Sequence, residues 1–161
     1  MKIIFSIIVL LVSLTAFSQR EGDSVYKRCP VAIKDTVTGN NYFIEHQPAT
    51  VKTYRNKGNY TIVIDQKNQF FTMFFRVRGF STKRKSTYRI STDGNSNGEL
   101  SAKYSFRSGE SVAFIDVSSG KVETTYDKAT KLWHIKVTGL IANMGGSGVS
   151  YFKATADFYI R

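Results

Sequence analysis

Cysteine, proline and histidine are all scarce in this sequence: one Cys, two Pro and two His among 161 residues. A lone cysteine, Cys29, cannot close an internal disulfide, so stability must come from an apolar core. His46 and His134 are far apart, and no CxxC, HxH or HExxH spacing accompanies them, so zinc has no recognisable ligand set. Neither histidine stands in a nucleophile elbow or beside a serine in a catalytic pattern. No glycine-rich loop follows a strand and opens a helix, which excludes the phosphate-loop enzymes. No catalytic residue, metal or cofactor is therefore expected.

Acidic residues are also few, 12 Asp and Glu against 23 Lys and Arg. Paired carboxylates could still serve a polysaccharide-acting hydrolase. The strand-borne acids are Asp65, Asp116, Glu123 and Asp157. The segment DGNSNGE, at 93–99, is rich in oxygen but lacks the EF-hand spacing, and it reads as a hairpin turn.

Long apolar runs are confined to the first residues. In MKIIFSIIVLLVSLTAFS, at 1–18, Lys2 supplies a short positive region. Residues 3–14 are apolar except Ser6 and Ser13, and Ala16-Phe17-Ser18 has the small-x-small form of a cleavage site. This predicts a signal peptide cut before Gln19 and an exported protein, periplasmic or extracellular. No later segment is long and apolar enough for a spanning helix. Residues 19–30 are expected to be a flexible N-terminal segment, and 31–161 a single domain.

Helical periodicity is missing after residue 18, and period-two alternation takes its place. Leu100, Ala102, Tyr104 and Phe106 alternate with Ser101, Lys103, Ser105 and Arg107. Trp133, Ile135 and Val137 alternate with His134 and Lys136, which places His134 on an outer face. Phe152, Ala154, Ala156, Phe158 and Ile160 share one face of the last strand. Strands are predicted at about 31–37, 41–45, 50–55, 60–65, 69–78, 86–91, 99–107, 111–117, 121–126, 131–138 and 149–160. Turn signals such as STDGNSNGE, RSGE, SSGK and DKATK separate the later ones. The reading is all-β: an antiparallel β-sandwich of about eight to ten strands, with a small closed β-barrel as the alternative. An outer-membrane barrel fits poorly, because most strands are shorter than the 9–11 residues a bilayer needs.

Positive charge is uneven. The formal net charge is +11, and residues 51–107 hold twelve bases against three acids. Such a field attracts anionic partners: an acidic glycan, a lipid head group or an acidic protein. Export makes nucleic acid an unexpected partner. The richest stretch is 70–90, FFTMFFRVRGFSTKRKSTYRI, with five Phe and six Lys or Arg. Its start, FFTMFF, is apolar on both faces and reads as a central, covered core strand. Its remainder reads as a hairpin. Arg76, Arg78 and Arg89 share its outer face and Lys83, Arg84 and Lys85 form its tip, with Lys103 and Arg107 extending the patch from the next strand. Arginine forks suit phosphate, sulfate and carboxylate. The expected function is a non-catalytic exported β-domain that binds an anionic partner through this hairpin. The alternatives are a polysaccharide-acting hydrolase and a barrel carrying a small ligand.

The Phe-Ser step before Gln19 resembles signal peptides of Bacteroidetes. The segment GKVETTYDKATKLWHIKVTGLIANMGGSGVSYFKATADF, at 120–158, is similar to the ending of small exported β-rich proteins of that group. The resemblance implies a sandwich-like fold and carries no catalytic residue. Asp23-Ser24-Val25 and Asp35-Thr36-Val37 look like the sites at which such bacteria attach O-glycans.

Overall fold

A computed structural model describes residues 20–22, 31–40, 49–66, 68–76, 79–143 and 148–161. Every regular element among them is a strand: β1 (Arg20–Gly22), β2 (Val31–Asp35), β3 (Thr50–Asn56), β4 (Asn59–Gln66), β5 (Gln69–Phe75), β6 (Lys85–Ile90), β7 (Glu99–Ser108), β8 (Ser111–Asp127), β9 (Leu132–Asn143) and β10 (Ser150–Ile160). The signal segment 1–18, the Asp23-Ser24-Val25 site, Cys29, the expected strand at 41–45, His46 and Arg78 lie outside the described residues. Within the segment 19–30, Arg20–Gly22 pair with β3.

The strands form one sheet in the order β1-β3-β4-β5-β7-β6-β8-β9-β10-β2. Pairing is antiparallel except between β6 and β7, which run parallel at Arg89↔Glu99 and Ile90↔Leu100. β8 joins the two halves. Up to Asp116 it pairs with β7, and from Val117 onward it pairs with β9. The sheet is therefore mixed, and it curls around one core. The fold is all-β, as the alternation implied.

Period two decides which side chains enter that core. β4 buries Tyr60, Ile62, Ile64 and Gln66 and leaves the residues between them half-buried. β10 buries Ala154, Ala156, Phe158 and Ile160 and turns Tyr151, Lys153, Asp157 and Tyr159 outward. Phe71, Phe75, Phe158, Ile62 and Ile135 are among the fully buried side chains. Each contributes roughly 1.5–3 kcal/mol by leaving water.

Three expectations need correction. The segment SSGK is not a turn, because β8 runs through it. A bulge between Val117 and Ser119 and a φ of 147° at Gly120 bend the strand from one half to the other. Secondly, 91–98 does not make an antiparallel hairpin. It folds against the sheet, with Gly94 buried and Gly94 N donating to Ser91 Oγ at 2.9 Å, and delivers β7 parallel to β6. Thirdly, no hairpin joins β5 to β6. β5 pairs with β4 and β7, whereas β6 pairs with β8 and briefly with β7. The described part of the connection between them passes over one end of the core, with Phe80 packed against it. Tyr88 packs edge-on against Phe75, ring centroids 5.1 Å apart.

Candidate functional site

The crossing from β5 to β6 begins with a tight turn in which Gly79 N donates to the Arg76 carbonyl at 2.5 Å. Phe80 follows and becomes the centre of an aromatic cluster. Its ring centroid lies 4.7 Å from Tyr60 on β4, 5.2 Å from Phe75 on β5 and 5.2 Å from Trp133 on β9. Ser81 N donates to the Tyr88 hydroxyl at 2.7 Å, which fixes the rest of the crossing. Aromatic pairs at these separations add about 0.5–1.5 kcal/mol each beyond their buried area. The cluster draws one end of both halves of the sheet together.

Basic side chains surround it. The β3–β4 turn brings Arg55 and Lys57. Lys57 and Gly58 both have positive φ, 48° and 83°, as a two-residue hairpin turn requires. The end of β5 brings Arg76, and the crossing brings Lys83, Arg84 and Lys85. The β8–β9 turn adds Lys128 and Lys131, and Arg161 follows Ile160, the partner of Trp133. All nine are exposed. Asp127 is the acid among the described residues of these segments, and its carboxylate is engaged. It accepts hydrogen bonds from Ala129 N at 2.9 Å and Thr130 Oγ1 at 2.8 Å. Those bonds, with a smaller attraction from Arg84, hold it below the ordinary value of 3.8.

A recess of about 300 Å³ opens at this end, lined by Arg55, Lys57, Tyr60, Phe80, Thr82 and Trp133 among others. Arg55 lies over the Tyr60 ring, its guanidinium carbon 5.0 Å from the centroid. Burial pushes the Tyr60 phenol above its ordinary 10.0, so it stays protonated and neutral. The recess thus has an aromatic floor and a cationic rim.

The residues expected to form one patch are divided. Arg76, Lys83, Arg84 and Lys85 are at the basic end. Arg89 lies elsewhere, its guanidinium bound to Glu99, with Nε donating to Oε1 at 2.9 Å. Lys103 sits on the outer face of β7, 3.2 Å from Asp116 and 4.7 Å from the centroid of the Phe114 ring. Arg107 stands at the opposite end of β7, beside a different cavity. Sequence reasoning missed Arg161 and also Arg55, Lys57, Lys128 and Lys131. The only local signal for the last four was that NKGN and DKATK are turns; tertiary structure makes them neighbours of 83–85.

The reading of FFTMFF as covered on both faces also changes. Phe71, Met73 and Phe75 are buried, but Phe70 and Phe74 are half-buried on the outer face. Phe114 is 62% exposed. The register places Phe70, Ser105 and Phe114 in one row across β5, β7 and β8. The strand-borne acids are paired on outer faces: Asp65 with Lys52, Asp116 with Lys103, Glu123 with Lys121, and Asp157 with His134 and Lys136. His134 points outward, as its alternation implied, and stacks on Tyr159 with ring centroids 4.4 Å apart. Among the described residues no three His, Cys, Asp or Glu side chains gather as a metal site.

Comparison of the chain with protein-family models, with curated proteins and with solved structures finds no match.

Proposed function

We propose that this chain is an exported, non-catalytic β-domain that binds an anionic partner at the end of the sheet organised by Phe80. The observation that carries the reading is a recess floored by Tyr60, Phe80 and Trp133 and lined by Arg55 and Lys57, with Arg76 and the 83–85 run on the connection that carries Phe80. Acidic glycan, lipid head group and acidic protein all suit a concentrated positive field. The aromatic floor favours the glycan, since a sugar ring can lie flat on it while the rim meets an acidic substituent. Arginine supplies a planar fork for that substituent and lysine a mobile point charge. The basic hairpin of the sequence reading becomes a basic end assembled from three separate connections and Arg161.

The sandwich form belongs to the same reading. A sheet order that starts at β1 and ends at β2 supports two facing halves over a ring of strands. Export rests on residues 1–18, and N-terminal sequencing of the mature protein should begin at Gln19.

The binding test is retention on immobilised polygalacturonate, a neutral dextran and anionic phospholipid vesicles, each read against salt. Polygalacturonate should retain the protein at low salt and release it as screening rises. The Arg55→Ala, Arg76→Ala, Lys83→Ala combination should shift release to lower salt. Equal retention of this variant, or equal retention on dextran, rules the reading out. Tighter retention on vesicles than on polygalacturonate would transfer the site to lipid.

A further inference from the structure

A second cavity, of about 460 Å³, lies at the end of the sheet away from Phe80. Its walls come from both halves: Tyr104 and Phe106 on β7, Ile115 on β8, Ile141 on β9, Phe152 on β10 and Ile33 on β2. Protein interiors pack like organic crystals, with few voids larger than a water molecule. An apolar space of this size falls instead in the range of small-molecule sites, roughly 300–1,000 Å³. Arg107 is the one charged residue among its described lining residues, and amide side chains from Asn68, Gln69 and Asn143 accompany it. Ile33 and Ile141 are buried and Arg107 is exposed, so the charge stands at the solvent side of an apolar interior. The Arg107 backbone is held in place by its N–H, which donates to the Asn68 carbonyl at 2.8 Å. Arg107 has no acidic ion-pair partner among the described residues, in contrast to Arg89 and Lys103.

We propose that this cavity is a binding site for an amphipathic monocarboxylate of the fatty-acid class, with the apolar tail inside and the carboxylate on Arg107. The guanidinium fork matches a carboxylate in bidentate geometry, and a single cation selects a single anionic group. Six apolar or aromatic walls without an internal charge select an uncharged tail. This site is independent of the basic end: it uses other residues and lies at the other pole of the sheet.

The experiment is calorimetric titration of the purified protein with sodium decanoate and with decan-1-ol. Decanoate should bind one per chain and more tightly than the alcohol. Arg107→Ala should weaken decanoate about tenfold or more, the scale of losing one partner of a paired charge, and leave decanol nearly unchanged. Ile115→Trp, which fills the cavity, should abolish both. Arg107 is exposed, so its replacement tests the site even if the tryptophan variant does not fold. Location is read independently with 10-bromodecanoate. The chain has one tryptophan, Trp133, which lines the opposite recess. Its emission should stay unquenched, because the tail occupies the other cavity. Absence of decanoate binding, equal affinity for decanol, indifference to Arg107→Ala, or quenching of Trp133 would each overturn the proposal.

Discussion

Phe80 meets Trp133 edge-on, with ring centroids 5.2 Å apart and planes at 74°. Phe80 belongs to the β5–β6 crossing and Trp133 to the start of β9, so this contact ties the crossing to the far half of the sheet. The basic end depends on it. Removing the Phe80 ring leaves Tyr60, Phe75 and Trp133 without their common neighbour. Fully buried Phe→Ala changes cost about 3–5 kcal/mol, and Phe80 is only partly buried, so Phe80→Ala should cost about 2 kcal/mol. Chemical denaturation measures that loss. The same variant should red-shift Trp133 emission and weaken retention on polygalacturonate, although no cation has been removed. Retention equal to the parent protein would show that the bases bind without the cluster.

Gly120 and Gly139 face each other across β8 and β9. A Cβ on Gly120 would come within 2.2 Å of the Thr138 carbonyl oxygen, and one on Gly139 within 2.5 Å of Val117 Cγ1. Gly120 also holds a φ of 147°, which side chains rarely adopt. Gly120→Ala should therefore cost about 3 kcal/mol or more, through strain and overpacking together. A melting temperature within a degree or two of the parent would contradict the observed bend in β8.

These glycines show where the sequence was legible and where it was not. Alternation in β10 and β7 named the inward faces correctly, because period two is a property of neighbouring residues. The glycine in SSGK signals positive φ, and turns and bulges use positive φ alike. Only the pairing of 121–127 with β9 and 111–116 with β7 distinguishes them, and that pairing is long-range. The basic end was half legible for the same reason. Lys83, Arg84 and Lys85 are a run in the sequence, but Arg55 joins them through the Tyr60–Phe80 contact and Lys131 through the pairing of β6 with β8. Phe70 and Phe74 were misread because four phenylalanines in six residues look the same whether one face or both are covered.

Thr124 is a buried polar residue in the middle of β8, at 0% exposure, and its Oγ1 has no hydrogen-bond partner among the described residues. It lies between Ser86 and Ile135 in the register. A buried hydroxyl without a partner carries its desolvation cost uncompensated. Valine has nearly the same shape and no hydroxyl, so Thr124→Val should stabilise the fold by about 1 kcal/mol. Urea denaturation gives the sign directly. Destabilisation would mean that the hydroxyl is satisfied in solution.

Glu99 is the buried acid among the described residues, and Arg89 holds it. The hydrogen bond from Arg89, with smaller ones from Ser96 N and the Ser91 hydroxyl, keeps its carboxyl below the ordinary 4.5 despite desolvation. A carboxyl that is more acidic folded than unfolded adds stability above its unfolded value and loses it as pH falls through the folded one. Melting temperature should therefore decline as pH drops below 4.5, and Glu99→Gln should flatten part of that decline. Arg89 was read from the sequence as a ligand contact, and in the fold its exposed side chain is paired with Glu99. Arg89→Ala should accordingly lower the melting temperature at neutral pH and leave salt-dependent retention on polygalacturonate unchanged. If retention fell as far as with Arg76→Ala, Arg89 would belong to the binding surface after all.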